Sequence, residues 1–272
     1  MKQRGKGEAM SILNEIAQRA RARVDAQKAA LSLEKIIEVA VSSYDASGGF
    51  PFENALNSKE IAFICEIKKA SPSKGVIDEE FAYLDIARDY EAAGAAAISV
   101  LTEPYYFKGS SQYLREIADV VSIPLLRKDF IVDSYMIYEA KLLGASAVLL
   151  ICSILAPDTL AEYIAAAHSI GLSALVETHS EEEVAMALAA GARVIGANNR
   201  NLETFEVDNT LSARLRALAP SNVLFVSESG VSRAEDISRL RQIGADAVLI
   251  GEALMRSPDK KAALAKLRGG AI

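Results

Sequence analysis

The chain has 272 residues, 51% hydrophobic and 24% charged, with 30 basic residues against 36 acidic ones and a net charge of −6. That is the composition of a globular protein with room for one large domain or two small ones, and the acidic balance, without any basic block, argues against a nucleic-acid surface. The longest apolar stretch, around Val148–Ile151, is bounded by Ser146 and Ser153, far short of the roughly 18 to 20 residues a membrane-spanning helix needs.

In chain order, the first ten residues carry Lys2, Arg4 and Lys6, but the following SILNEIAQRARARV is polar where an export signal needs an apolar centre. No export is expected, and the protein is read as cytoplasmic. Residues 11 to 60 show no strand signal. Ile12, Leu13 and Ile16, and later Leu33, Ile36 and Ile37, recur at helical spacing, and the turn-rich SSYDASGGFPF separates these helices from the rest of the chain. The expectation is an N-terminal helical extension over residues 1–60, packed as a cap on one end of a barrel formed by residues 61–272, the two making a single domain.

From residue 61 onward, eight short apolar runs alternate with helical patterns: IAFICEIK, AAAISVL, PLLRKDF, SAVLLIC, SALVET, RVIGANN, NVLFVSES and DAVLIG. Most are apolar nearly throughout, as strands of a parallel sheet covered on both faces should be. Gly94-Ala95, Gly144-Ala145, Gly191-Ala192 and Gly244-Ala245 each close a helical run just before a strand. Their spacing of about fifty residues matches pairs of βα units, a fourfold repeat. This predicts an α/β protein of the (β/α)8 TIM-barrel class. An open doubly wound sheet would carry a Gly-rich dinucleotide turn after its first strand, and EIKKASPSKG is not one. Cys65 and Cys152 sit in apolar runs without C-x-x-C spacing and read as reduced core residues. The tail after Leu267, RGGAI, is expected to fray.

Chemistry in such a barrel belongs to the C-terminal strand ends. There the sequence places Glu66 and Lys68, Lys128 and Asp129, Glu177, Asn198 with Arg200, and Glu228 with Ser229. Glu66 and Lys68 are two apart and share a face; if that face is the interior, both reach the barrel mouth. Charges clustered in a partly dry cavity pair and shift one another's pKa, and Lys68 and Lys128 are placed to lower each other's into a useful range for an acid. Ser229-Gly230 and Gly251-Glu252, after strands seven and eight, are small-residue turns before helix starts, a backbone cup for phosphate. Phe107 and Phe130 follow strands two and three, as core residues or as walls for a ligand ring. His168 reads as a surface residue and His179 as a loop or helix-cap residue; two histidines leave no metal constellation. From the residues alone, a sugar-phosphate isomerase, an aldolase or a catalytically silent phosphate-binding barrel remains open beside a lyase.

The stretches FICEIKKASPSKGVI, SVLTEPYYFKGS, LLRKDFIVDSYMIYEAKLLGA, LVETHSEEE, IGANNRNLETFEVD, VSESGV and LIGEALMRSPD, spread from about Ser11 to Lys266, closely resemble the indole-3-glycerol-phosphate synthase family. The resemblance implies a (β/α)8 barrel whose extra N-terminal helices help cover the catalytic face, with no metal or organic cofactor. It implies a carboxy-lyase of tryptophan biosynthesis that converts 1-(2-carboxyphenylamino)-1-deoxyribulose 5-phosphate to indole-3-glycerol phosphate, carbon dioxide and water. By matching position it makes Lys128 the general acid on the substrate carbonyl, and Glu177 with Lys68 the agents of dehydration. Which lysine acts at which step is left open. Glu66 would orient and charge-balance the lysines, and Asn198 and Ser229 would hold substrate hydroxyls and intermediates. Ser71 and Arg200 would be secondary contacts and Glu228 a supporting carboxylate, with phosphate gripped by backbone at Gly230, Gly251 and Glu252. Ala70 stands where some members carry a lysine that reaches phosphate, and Glu252 where some carry Ser, so only the N–H of Glu252 is assigned to phosphate. A monomer is expected, acting on a small phosphorylated substrate and associating at most weakly with other pathway enzymes.

Overall fold

A computed structural model describes residues 11–45, 48–202 and 204–269. Eight parallel strands close into a barrel, each bonded to the next in chain order and the last to the first. They are β1 Ala62–Ile67, β2 Ala97–Leu101, β3 Leu125–Lys128, β4 Ala147–Ile151, β5 Ser173–Thr178, β6 Val194–Asn198, β7 Leu224–Glu228 and β8 Ala247–Ile250. Each of the eight apolar runs in the sequence supplies one. Three helices precede the barrel, α1 Ile12–Ala30, α2 Leu33–Ser42 and α3 Pro51–Leu56. Those within it are α4 Tyr83–Ala92, α5 Ser111–Ala118, α6 Tyr135–Leu142, α7 Pro157–Ser169, α8 Glu181–Ala189, α9 Leu211–Arg216, α10 Ala234–Gln242, α11 Glu252–Met255 and α12 Lys260–Leu267.

The two-residue period of a strand sorts the side chains. On β1, Phe63, Cys65 and Ile67 pack outward among the helices, while Ala62 and Ile64 join the interior cluster with Leu126, Leu175, Val226 and Leu249. The same parity makes Glu66, Lys128, Glu177 and Glu228 the inward residues near the C-terminal ends of the four odd-numbered strands, the alternate-strand layering of this barrel class. Gly94, Gly144, Gly191 and Gly244 all end helices at positive φ. A two-stranded hairpin, Ala70–Ser71 with Gly75–Val76, follows β1; runs that short carry no periodic signal, and the sequence reads them as loop.

The extension differs from a cap on one end. Arg23 of α1 donates to both carboxylate oxygens of Asp129 at 2.9 and 2.8 Å, Lys28 to Asp133 at 2.6 Å and Gln27 to Glu139 at 2.6 Å. These contacts hold α1 beside the C-terminal end of β3, so it lies at the barrel mouth. α2 packs on α6, and α3 reaches the opposite end. Its Phe52 and Leu56 are buried with Ala62, Ala97, Ala147, Val194 and Ala247, all first residues of strands. Glu53 accepts from Arg193, just before β6, at 2.8 Å. The extension is therefore a strap that closes both ends, a consequence of helical faces whose partners lie too far along the chain for local pattern to reveal.

Other differences are local. His168 is half-buried, edge-on to Phe50 with ring centroids 5.5 Å apart, and burial together with Arg193 pulls its pKa down to about 4. Arg268, the first residue of the tail, donates to Ala93 O at 2.9 Å and is tied down. The remaining tail residues 270–272 and the first ten residues lie outside the described residues. Cys65 and Cys152 are free, and burial pushes both thiols up to about 12. Among the described residues no helix is long and apolar enough to cross a membrane.

Candidate active site

A cavity of about 490 Å³ sits at the C-terminal ends of the strands, and every residue the sequence proposed for the site lines it. These are Glu66, Lys68, Ser71, Phe107, Lys128, Phe130, Glu177, Asn198, Arg200, Glu228, Ser229, Gly230, Gly251 and Glu252.

Lys128 is the hub. Its Nζ lies 3.0 Å from Glu177 Oε2 and 3.1 Å from Glu228 Oε2, with both carboxylates almost fully buried. Lys68 pairs with Glu66 beside them. Such approach needs glycines on the neighbouring strands. A Cβ at Gly196 would press on Glu228 Oε1, and one at Gly251 would press on Glu66 Oε1 and come within 3.1 Å of Lys68 Nζ.

The charges are unequal. Burial works against the ammonium of Lys128, but Glu177, Glu228 and Glu66 outweigh it and raise its pKa. The lowering expected at Lys128 is thus reversed: its neighbouring carboxylates set its field. Burial likewise disfavours an ionised Glu177, yet Lys128 and His179 beside it hold that carboxyl below the usual range. Glu228 is pushed up to about 7 by burial, against the pull of Lys128 and with the help of Glu177 and Glu66. One carboxylate stays ionised while its neighbour titrates near neutrality, the kind of split that separates base from acid in one site.

Asp129, at the end of β3, is structural in this arrangement. It accepts from Arg23, from Thr102 at 2.6 Å and from its own neighbour Phe130 N at 2.9 Å. Asn198 accepts from Arg200 N at 3.1 Å, and the Arg200 guanidinium reaches Phe205 O at 3.0 Å, fixing the loop after β6. Ser229 adopts a left-handed backbone, φ 64°, which costs a non-glycine residue about 1 kcal/mol or more. Asn199 Nδ2 holds its carbonyl at 3.1 Å.

At the phosphate end, the sequence anticipates helix N-termini after both β7 and β8, and the two differ. Asp236 already takes the N–H groups of Ser232 and Arg233, both at 2.9 Å, in the turn just ahead of α10. The turn at Gly230 remains to offer backbone. In α11, Gly251 O accepts from Leu254 and Met255, which leaves the N–H groups of Glu252 and Ala253 outside the helix's own ladder. The Glu252 carboxylate is engaged by Arg256 at 3.2 Å and lies 3.9 Å from Lys74.

The opposite end is apolar. Phe107 and Phe130 lie 6.1 Å apart between ring centroids, and Ile12, Leu13 and Ile16 of α1 complete the wall. Sequence reasoning missed those three, as well as Leu202, Phe205 and Arg256; the helical spacing of the first three marks a buried face without saying that the face covers a ligand cavity. Among the described residues, no group of three His, Cys, Asp or Glu is arranged to hold a metal ion.

The family model described as indole-3-glycerol phosphate synthase matches residues 13–267. The chain is 59% identical over 260 residues to the indole-3-glycerol phosphate synthase of Ruminiclostridium cellulolyticum, covering 96% of this chain and 100% of that one. To the synthase of Lachnoclostridium phytofermentans it is 47% identical over 267 residues, covering 94% and 98%. Solved structures share the fold at low identity. A 3-hexulose-6-phosphate synthase superposes with a TM-score of 0.63 at 18% identity, covering 77% of this chain and 99% of that one. A chain of the Pyrococcus furiosus tryptophan synthase complex gives 0.58 at 15% identity, covering 76% and 98%.

Proposed function

The chain belongs to the indole-3-glycerol phosphate synthase family and is a carboxy-lyase of tryptophan biosynthesis, and from that premise we propose how its cavity divides the work. The substrate phosphate is held by backbone N–H groups at Gly230, Gly251 and Glu252, with Ala253 adjoining. The carboxyphenyl ring lies between Phe107, Phe130 and the α1 wall. Asn198 and Ser229 hold hydroxyls, with Ser71 and Arg200 as secondary contacts. The working unit in this reading is the monomer. Two buried free thiols support a cytoplasmic setting.

Lys128 donates to the carbonyl oxygen under attack by the ring carbon. Its raised pKa makes it first a fixed positive charge where the oxyanion develops, and a proton donor once that oxygen has become strongly basic. Loss of the carboxylate as carbon dioxide restores part of the conjugation. In the dehydration, Glu177, held ionised, removes a proton, and Lys68, oriented by Glu66, protonates the departing hydroxyl. Glu228 tunes Lys128: when protonated it withdraws one counter-charge and makes the ammonium a better acid.

The observation that carries this reading is Lys128 Nζ gripped by Glu177 and Glu228 on the wall of the cavity that Lys68 and Glu66 also face. Single-turnover experiments on Lys128→Met and Lys68→Met, following carbon dioxide release and indole fluorescence separately, test the division. Lys128→Met is expected to suppress both signals, and Lys68→Met to release carbon dioxide faster than indole forms. Equal slowing of both signals in Lys68→Met would move that lysine to the ring-closing step.

A further inference from the structure

The overall reaction fixes a proton requirement. With the benzoate ionised, the substrate anion plus one proton yields indole-3-glycerol phosphate, carbon dioxide and water, the water carrying the former carbonyl oxygen, so each turnover draws one proton from solvent. Every other hydrogen is conserved between substrate and products. A substrate filling the mouth covers Glu177, Lys128 and Glu228 on their cavity side, and these groups are almost fully buried. The proton needs another way in.

His179 sits behind Glu177, two residues on from it. Its Nε2 is 3.6 Å from Glu177 Oε1 and its Nδ1 is 3.6 Å from Glu183 Oε2. Both ring nitrogens are buried without a hydrogen-bond partner, a costly state unless a small tilt of the ring engages the carboxylates in turn. Glu183 is one-fifth exposed and reaches solvent. It also caps the start of α8, accepting from His179 N at 2.7 Å, so the ring and its outer carboxylate are held in one turn. On its far side His179 lines a second, polar cavity of about 620 Å³, shared with Asn198, Asp208 and Arg214.

We propose that His179 is the positioning and proton-relay residue for Glu177, carrying the proton consumed in each turnover from Glu183 and solvent to the inner carboxylate. The step balances as three transfers. Nε2–H of the imidazolium gives its proton to Glu177 Oε1, leaving neutral imidazole. Glu177 passes a proton from Oε2 across 3.0 Å to Lys128, which has given one to the carbonyl oxygen, and is ionised again before the dehydration. The ring is reprotonated from the Glu183 side or from solvent in the second cavity. The proton that Glu177 then takes from the substrate offsets the one Lys68 gives to the departing hydroxyl, so one proton per turnover enters from outside. Three carboxylates face the ring, Glu177 from β5, Glu183 from α8 and Glu228 from β7, and Asp208, Glu206 and Arg214 line the recess beyond. Burial disfavours the charged ring, but Glu183 and Glu177 overcome this and raise its pKa. The Sγ of Cys152 lies 3.7 Å from Glu183 O, the backbone of the outer carboxylate residue.

The inference rests on Glu177 acting on substrate protons, so the test includes Glu177→Gln. In His179→Gln, kcat is expected to fall by about ten- to a hundredfold with KM within twofold, and to rise with the concentration of a small buffer acid. His179→Ala should be rescued by imidazole in a saturable way, with the pH profile of kcat following the added base. Glu183→Gln keeps the carbonyl oxygen that caps α8 yet carries no proton, and should show the same buffer dependence at smaller amplitude. Glu177→Gln should be inactive and beyond imidazole rescue. Folding of each variant is checked by thermal melting. An unchanged, buffer-independent kcat in folded His179→Gln would overturn the relay while leaving Glu177's role intact, as would a fall in kcat without rescue or any change of pH profile. Full activity in Glu177→Gln would overturn the reading beneath it.

Discussion

The two ends of the barrel are built from the same strand parity and solve opposite problems. At the floor, Phe52 and Leu56 fill the space above Ala62, Ala97, Ala147, Val194 and Ala247, a contact among apolar atoms that asks only for close packing. Further along the barrel, at the mouth, the inward residues are Glu66, Lys128, Glu177 and Glu228. There packing is incomplete by design of the cavity, Glu228 Oε1 has no hydrogen-bond partner, and Ser229 holds a strained backbone. One chain segment spans the difference: α3 seals the floor with hydrocarbon, and α1 is pinned near the mouth by charge-assisted bonds to Asp129 and Asp133. Stability is therefore concentrated at one end and function at the other.

Crossed substitutions break or sharpen that contrast. Lys128→Ala is expected to lower kcat by three to four orders of magnitude, on the order of 4 to 5 kcal/mol of transition-state stabilisation, while inorganic phosphate still binds. Steady-state kinetics and phosphate protection against thermal unfolding measure the two. Phe52→Ala should do the reverse. It removes a fully buried aromatic ring and should cost about 3 to 5 kcal/mol in urea unfolding, with kcat of the folded fraction within about twofold of the parent. A Phe52 variant that loses turnover without losing stability would show that the floor is coupled to the chemistry and that the division of labour fails.

How much of this contrast was legible in the sequence depends on the range of the interaction that specifies each part. The eight strands announce themselves because a strand covered on both faces needs a continuous apolar run, and the repeated Gly-Ala pairs mark the helix ends between them. The strand-end charges were legible for the same reason, since parity along β1 places Glu66 and Lys68 together without any knowledge of the rest. The sign of the shift at Lys128 was not. It depends on Glu177 and Glu228, 49 residues and more away along the chain, meeting its Nζ at 3.0 and 3.1 Å. The path of the strap was hidden likewise: Ile12, Leu13 and Ile16 look like any amphipathic face, and only Arg23 meeting Asp129 across 106 residues shows which surface they cover.

The titration near neutrality offers a finer test of the mouth. Glu228 stands at about 7 in the folded protein against an ordinary carboxyl value of 4.5, so the folded state binds its proton more tightly than the unfolded chain does. The stability this group contributes is fully present below about 4.5 and is lost as pH rises through about 7. Glu228→Gln should abolish that loss. The difference in unfolding free energy, parent minus variant, is expected to fall between these values with a slope of at most about 1.4 kcal/mol per pH unit, the limit for one proton. Urea titrations across that range check it, made in a His179→Gln background because His179, whose raised pKa acts in the same direction, owes part of that rise to Glu228. A flat difference would mean that Glu228 is ionised throughout and that Lys128 keeps both counter-charges at working pH.

The smallest expected effect probes how the phosphate is held. The Glu252 side chain meets Arg256 and approaches Lys74, all three partly exposed, and pairs of that kind contribute about 1 kcal/mol or less. If phosphate is gripped by the backbone N–H groups at the start of α11, removing the carboxylate leaves the grip in place and takes one negative charge away from the anion. Glu252→Ala should then leave kcat unchanged and keep KM within about threefold of the parent, with any change toward tighter binding and strongest at low ionic strength. A tenfold rise in KM would instead mean that Glu252 positions Arg256 or Lys74 for the phosphate. The cup would then depend on side-chain charge, and the mouth would be electrostatic at both of its poles rather than only at the Lys128 hub.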